Sequence, residues 1–136
     1  IGDLAVNIAE RAQFLNARAP IAVPFDLNGL AEKSQNMFRQ SLDALVNMNA
    51  NLARAVCGMD DEVDAINREM YDQVKDMIRQ HPEHLDSLIA LLSISRYLER
   101  IADHATNIAE DVLYMIEGKI ARHGRDFKAG RTTENT

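Results

Sequence analysis

The sequence predicts an all-α fold: an antiparallel three-helix bundle with one extra helix on its N-terminal side. Three observations lead to this prediction. Apolar residues recur at steps of three and four along most of the chain, as on the buried stripe of an amphipathic helix. Runs of β-branched residues with alternating polarity, which are typical of strands, do not occur. Prolines and glycines divide the chain into segments whose short connections favour antiparallel neighbours.

The predicted bundle is flanked by segments of different character. The first helix covers residues 2–18, and its apolar positions are Leu4, Ile8 and Leu15. Two prolines then interrupt the helical pattern, because each disfavours the α conformation at the residue before it. We therefore assign residues 19–24 to a linker. At the other end, residues 119–136 have little to bury, and we expect them to form a flexible tail.

The bundle itself is predicted over residues 25–118, with helices at 27–57, 60–80 and 83–118. Gly58 is expected to end the first of these helices, because glycine readily adopts the left-handed conformation found at helix ends. Pro82 marks the start of the last helix, where its missing amide proton costs nothing. His81 and His84, on either side of this proline, are assigned to the turn.

Composition narrows the functional classes. The chain has 136 residues and a formal net charge of −6, which argues against nucleic acid as its main partner. Its single cysteine excludes an intrachain disulfide and fits a reducing compartment. No apolar run is long enough to span a bilayer, and no signal peptide opens the chain. We therefore expect a cytoplasmic protein without membrane insertion.

The chain contains an internal repeat. The segment IGDLAVNIAER at residues 1–11 recurs as IADHATNIAED at residues 101–111, so that Asp3 corresponds to Asp103. Self-similarity of this kind indicates a repeated structural unit. We expect the first helix to be the end of one repeat and residues 25–118 to be a second, complete one. Most of the first repeat would then lie upstream.

Acidic side chains recur on two helices that are expected to face each other. One face of the last helix carries oxygen-bearing residues at steps of four, namely Glu99, Asp103, Asn107 and Asp111. The motif DDEVD occupies residues 60–64 of the preceding helix. An antiparallel hairpin places Glu99 level with Asp64, and Asp103 level with Asp60. Facing carboxylates without an interleaved lysine are typical of a site for a hard cation.

Two explanations without metal remain open at this stage. Arg96 and Arg100 could neutralise the carboxylates on their own helix. Asp60 and Asp61 could simply occupy the first turn of their helix, where the helix dipole favours negative charge. Capping does not explain, however, why the facing level of the partner helix is also acidic.

The segment RYLERIADHATNIAEDVLYMIEG (residues 96–118), together with IGDLAVNIAER, resembles the signature of the PhoU family, regulators of bacterial phosphate uptake. The resemblance covers most of the chain and implies three-helix repeats. It also implies divalent or ferric metal ions (iron, manganese, magnesium or zinc) held by E(D)xxxD motifs. The ligands implied in this sequence are Glu99, Asp103, Asp60, Asp61, Asp64 and Asp3, with Asn107 and Asp111 continuing the same face.

The resemblance further implies a regulatory role. The family is non-catalytic and damps phosphate-starvation signalling through contacts with a sensor histidine kinase and the ATPase of the phosphate ABC transporter. Such contacts would bring a cytoplasmic protein to the inner face of the membrane without inserting it.

Two other functional classes compete with this interpretation. Ferritin-like di-metal enzymes are also helical bundles, but they use Glu-x-x-His pairs, and no glutamate of this chain has a histidine three residues later. A structural interaction module with merely solvated acidic faces would show no tight metal binding.

A homodimer is also expected. Without the upstream repeat, the apolar stripe of the first helix would be exposed and would drive self-association. This includes a form in which two chains exchange that helix.

Overall fold

A computed structural model describes the backbone of residues 2–18 and 25–132, and the side chains of these ranges up to residue 118. Within these ranges it has four α-helices: α1 (Gly2–Asn16), α2 (Leu27–Asn47), α3 (Ala50–Gln80) and α4 (Leu85–Thr132), with a 3₁₀ turn at Pro82–His84 before α4. The described ranges contain no strand. The prediction of an all-α fold is thus confirmed. The predicted linker, residues 19–24, lies outside the described residues, as do residues 133–136.

The helices α2, α3 and α4 pack on one another as a bundle, and α1 packs against α4. The connections within the bundle are short, so successive helices reverse direction. Beyond the end of α1, Nη1 of Arg18 lies 3.7 Å from Oδ2 of Asp86 in the first turn of α4. Because the end of one helix meets the start of the other, α1 runs antiparallel to α4. The fold is therefore the predicted three-helix bundle with one additional helix.

The helix α4 is the central element, since it contacts each of the other three helices. Its buried face is made of small and branched side chains that have no exposed surface, namely Ala102, Ala105, Ala109 and Val112. Small side chains allow neighbouring helices to approach closely. The facing helices complete the core with Val56, Val63, Met70 and Val74 from α3 and with Leu30, Met37 and Ala44 from α2.

The boundary between α2 and α3 lies at Met48 and Asn49. Met48 adopts the left-handed conformation, with φ and ψ both 48°. The amide of Asn49 donates to the carbonyl of Ala44 at 2.9 Å, and the amide of Met48 donates to the carbonyl of Leu45 at 3.4 Å. These two bonds form a Schellman motif, which satisfies carbonyl groups at the end of α2.

The predicted helix end at Gly58 is therefore wrong. The side chain of Asn49 caps α3 by accepting a hydrogen bond of 3.1 Å from the amide of Leu52. Gly58 consequently lies inside α3. Asp60 and Asp61 lie more than two turns into the helix, so the capping explanation for these two aspartates is also wrong.

The helix α4 is longer than predicted. It starts at Leu85 rather than at residue 83, because the preceding residues form the 3₁₀ turn, and it continues through Gly118 to Thr132. A single interior glycine costs a helix only about 1 kcal/mol relative to alanine. The glycine is therefore not sufficient to end a long helix. Although α4 is the longest helix, neither it nor any other described helix is apolar enough over a sufficient length to cross a membrane.

The apolar stripe of α1 is covered within the chain. Leu4 is buried, and Ile8 and Leu15 pack against the core. The expectation that this stripe is exposed is wrong, because α4 offers α1 a surface beside the bundle. The expected homodimer therefore needs a different contact surface.

A substitution at Gly58 tests whether this residue lies inside α3 or at a helix end, because the two positions predict opposite changes in stability. A Cβ added at Gly58 would meet no atom within 4 Å. We expect Gly58→Ala to raise the free energy of unfolding by about 0.5–1 kcal/mol, because glycine in a helix interior is destabilising. Urea denaturation followed by circular dichroism measures this.

The matched variant is Asn49→Ala, which removes the cap of α3 and should lower the free energy of unfolding by about 1 kcal/mol. If Gly58→Ala destabilises the protein and Asn49→Ala leaves its stability unchanged, α3 does not begin at Asn49.

Candidate metal centre

Three aspartates from α3 and α4 converge on one point. Asp60 and Asp64 are one turn apart on α3, and Asp103 faces them from α4. One carboxylate oxygen from each lies within 4.8 Å of the others. The hairpin between the two helices thus brings together the residues that the sequence placed at one level.

Glu99 extends this cluster by one turn along α4. It lies half-buried beside the cluster, and with Asp64 it lines one cleft between the two helices. Its negative charge interacts with those of Asp103 and Asp64. We call Asp60, Asp64, Glu99 and Asp103 the carboxylate cluster.

Burial and mutual repulsion raise pKa values within the carboxylate cluster. The pKa of Asp60 is raised first by burial and then by the charges of Asp64 and Asp103. Burial, followed by the charges of Asp103 and Asp64, raises the pKa of Glu99. The pKa of Asp103 is raised by burial and by the charge of Asp64. Each raised pKa means that the ionised carboxylate is less stable in the folded protein than in the unfolded chain.

The arginines that could have neutralised this charge do not pair with it. Arg96 lowers the pKa of Glu99 by its charge, but less than burial and the neighbouring aspartates raise it. Among the described side chains, no lysine or arginine forms an ion pair with a member of the carboxylate cluster. The intrahelical salt-bridge explanation therefore has no contact to support it.

Two further oxygen-bearing side chains adjoin the cluster, and the sequence did not point to either. Oδ1 of Asn67 is buried and has no hydrogen-bond partner, while its Nδ2 donates to the carbonyl of Val63 at 3.1 Å. Asn67 lines the same cleft as Asp64 and Glu99. Its position three residues after Asp64 was the available signal, because that spacing keeps both side chains on one helix face.

Thr106 is the second such residue. Its hydroxyl lies 3.4 Å from Oδ1 of Asp60 and 3.1 Å from the carbonyl of Ala102. Donation to Asp60 stabilises the carboxylate, and this contact lowers the pKa of Asp60 against the larger effects of burial and neighbouring charge. Since the hydroxyl has one proton and the carbonyl of Ala102 is the nearer acceptor, the threonine adds a weak contact to the cluster from α4.

The remaining predicted ligands are not among the three aspartates whose oxygens converge. Asp61 follows Asp60, and its charge adds slightly to the raised pKa of Asp60, while Asn107 lies one turn beyond Asp103 on α4. Asp111 lines a different cleft, formed with Leu45, Ile108, Tyr114 and Met115. Asp3 is exposed on α1, which contacts α4 but not α3.

The donor set fits a hard cation. Each member of the carboxylate cluster offers oxygen, the ligand type that magnesium, manganese and iron accept readily. Cys57 lies one turn before Asp60. Burial, followed by the charges of Glu110 and Asp60, raises the pKa of its thiol and so disfavours the thiolate. The cluster also differs from ferritin-like sites, which combine carboxylates with histidine.

Comparison with known proteins identifies the family. A family model described as the PhoU domain matches residues 27–112. The chain belongs to the PhoU family. The fold agrees, because the crystal structure of PhoU from Pseudomonas aeruginosa matches with a TM-score of 0.80 and 30% sequence identity. That match covers 86% of this chain and 56% of the other.

Two curated PhoU relatives are described as phosphate-specific transport system accessory protein PhoU homologs. The one from Clostridium acetobutylicum is 32% identical over 119 residues, which cover 88% of this chain and 54% of the relative. The one from Xylella fastidiosa is 34% identical over 119 residues, which cover 88% of this chain and 50% of the relative. The chain thus spans about half the length of the curated PhoU relatives it matches.

The raised pKa values give a signed prediction for the metal-free PhoU-family chain. The folded state binds protons on Asp60, Glu99 and Asp103 at a higher pH than the unfolded chain does. Their contribution to stability is therefore present below the unfolded-chain values of about 4 and is lost as pH rises through the folded values. At neutral pH and in chelator, we expect the melting temperature of the double variant Glu99→Gln with Asp103→Asn to equal or exceed that of the native chain. Any difference between the two melting temperatures should vanish at low pH, where the carboxylates of the native chain are protonated.

Melting curves from about pH 3 to about pH 7, read by circular dichroism, measure this. The control is Asp111→Asn, which removes an exposed carboxylate of α4 outside the cluster. If the double variant is instead less stable than the native chain by more than about 1 kcal/mol at neutral pH, ion pairs with Arg96 and Arg100 hold the carboxylates.

Proposed function

We propose that this protein is a metal-binding, non-catalytic regulator of phosphate uptake and phosphate-starvation signalling. The observation that carries the proposal is the convergence of Asp60, Asp64 and Asp103, with oxygens within 4.8 Å of one another and no capping role for the aspartates of α3. The names of the relatives, accessory proteins of phosphate-specific transport, support a regulatory rather than an enzymatic role.

The carboxylate cluster would supply the metal ligands in this proposal. Its oxygens suit divalent or ferric ions, with iron, manganese and magnesium fitting better than zinc, which also takes nitrogen and sulfur ligands. The unpartnered Oδ1 of Asn67 would add a neutral oxygen beside them. Asp61, Asn107 and Asp111 would remain outside the ion's contacts. Asp3 would belong to the corresponding site of the preceding repeat.

A cation held between α3 and α4 would change how the two helices interact. Without it, the four carboxylates of the cluster repel one another at the interface, and burial followed by this repulsion raises the pKa values of Asp60, Glu99 and Asp103. With it, carboxylates of both helices are attracted to one centre. The relative tilt of α3 and α4 would then depend on metal occupancy, and so would the surface that the hairpin presents to a partner.

The partners proposed for the full-length protein are a sensor histidine kinase and the ATPase of the phosphate ABC transporter, at the cytoplasmic face of the membrane. The association of relatives with the transport system supports the second partner. The first rests on the family resemblance alone. An acidic chain with a net charge of −6 suits contact with basic protein surfaces, where complementary charge speeds association.

Metal binding is tested on chelator-treated protein by calorimetric titration with ferrous, manganous and magnesium ions. We expect the native chain and Asp111→Asn each to bind one more ion per chain than the double variant Glu99→Gln with Asp103→Asn, in which only the carboxylate cluster is changed. Saturating metal should raise the melting temperature of the native chain, because an ion that binds only the folded state stabilises it. Equal titrations of native chain and double variant would favour the alternative, a structural bundle module without a functional metal site.

The regulatory role is tested in a strain that lacks the protein. We expect complementation with the full-length protein to restore repression of phosphate-starvation genes in high phosphate, and complementation with the double variant to restore it incompletely. Unrepressed genes after complementation with the native protein, or hydrolysis of phosphate esters by purified protein at an enzymatic rate, would contradict the proposal.

We also expect the protein to form a homodimer. Since α1 is covered by α4, the contact would use apolar side chains that remain exposed, such as Val46 at 80% and Tyr114 at 79%. Exposed apolar patches commonly mark association surfaces. Sedimentation equilibrium tests this. A monomer at every concentration would refute the expectation, and Val46→Ser with Tyr114→Ser should shift a dimer towards monomer.

A further inference from the structure

A second group of metal-ligand side chains lies in the turn between α3 and α4. It consists of His81, Glu83 and His84, and one ligand atom from each lies within 4.8 Å of the others. Nδ1 of His81 is 3.2 Å from Oε1 of Glu83, and Nε2 of His84 is 3.8 Å from the same oxygen. Assigning the two histidines only to the turn does not account for this convergence.

The separations are close to those that a bound ion would impose. Zinc at tetrahedral angles, with bonds of about 2.0–2.1 Å, holds its ligand atoms about 3.4 Å apart. The nitrogen–oxygen distances of 3.2 and 3.8 Å lie on either side of this value, and the two ring nitrogens lie within 4.8 Å of each other. To bind an ion at tetrahedral angles, the two rings, whose centroids are 5.7 Å apart, would have to turn towards each other.

The backbone of the turn is fixed by hydrogen bonds and by a proline. The amide of His81 donates to the carbonyl of Met77 at 2.8 Å, and the amide of His84 donates to the carbonyl of His81 at 3.0 Å. Pro82 restricts the backbone between the two histidines. The fold thus fixes the backbone from which the three ligand side chains extend, and only their side-chain rotations remain to be ordered.

The group is also open to solvent. The side chains of His81, Glu83 and His84 are 54%, 61% and 39% exposed. A hydrogen bond from His81 and an ion pair with His84 hold the carboxylate of Glu83 between the two rings without a metal. The same arrangement aims one ligand atom of each side chain at a point that solvent can reach.

We propose that His81, Glu83 and His84 form a surface site for a borderline divalent transition metal, with zinc the best fit and water in a fourth, open position. Two imidazoles and one carboxylate form a donor set that suits zinc and nickel. The site differs in chemistry from the oxygen-only carboxylate cluster. It also lies roughly 24 Å further along α3, counted from Asp64 to Gln80 at the helical rise of 1.5 Å per residue. The two sites are therefore independent.

The test uses the full chain carrying Glu99→Gln and Asp103→Asn, so that failure of the carboxylate cluster cannot affect the result. After chelator treatment the protein is titrated with Zn²⁺ by calorimetry, and the histidine ring protons are followed by NMR. We expect one zinc ion per chain, with shifted ring signals for His81 and His84 and an unshifted signal for His104, which is exposed on α4. If the ring signals of His81 and His84 do not move at saturating zinc, the proposal is wrong. This outcome needs no substitution at the turn itself.

Variants at the turn complete the test. In the same background, His81→Asn with His84→Asn should weaken zinc binding by at least about 100-fold, the upper end of the loss caused by removing only an outer-shell partner. The matched control His104→Asn should bind zinc as the background does. Because the exchanged side chains are exposed, helix content by circular dichroism should be the same in all three proteins. Zinc affinity that is equal in the turn variant and the control refutes the site.

Discussion

The close packing of α3 on α4 determines how the rest of the molecule is arranged. Val56 and Val63 of α3 are fully buried, as are Ala102 and Ala105 of α4. Each buried valine contributes about 1.5–3 kcal/mol, and the chain keeps this contact although burial and neighbouring charge raise the pKa values of Asp60, Glu99 and Asp103. The apolar contact therefore outweighs the repulsion and forces the carboxylates at its edge to face one another. The carboxylate cluster destabilises the metal-free fold, but by less than the apolar core stabilises it.

The start of α3 changes what the acidic residues mean. Asp60 at the beginning of a helix would need no further explanation, because the helix dipole stabilises negative charge there. With the cap at Asn49, the aspartates lie in the helix interior, where that stabilisation has faded within the first turn. In the metal-free chain, burial and the neighbouring carboxylates then raise the pKa of Asp60 by more than the contact with Thr106 lowers it. A cation between the helices is the simplest means by which this arrangement gains free energy.

The sequence predicted the facing of the two acidic levels correctly although it misplaced the helix boundary. The pairing of Glu99 with Asp64 depends on the turn at residues 81–84, which proline and the end of the apolar pattern mark clearly. The other boundary depends on Met48 in a left-handed conformation, which a non-glycine residue rarely adopts, so Gly58 was the stronger signal. The role of Asn49 as a helix cap could have been predicted from the sequence. That Oδ1 of Asn67 has no hydrogen-bond partner could not, since hydrogen bonding depends on the assembled fold.

The two groups of ligands on this hairpin differ in what an ion could do to the fold. The carboxylate cluster joins α3 to α4, so a charge placed there acts on the contact between two helices. The ligands at the turn lie within four consecutive residues whose backbone is already fixed by the hydrogen bonds of His81 and His84. An ion at the turn changes the local charge but has no second element to pull on. Only the cluster can therefore couple metal occupancy to the shape of the bundle, because only there do the donors come from elements that can move relative to each other.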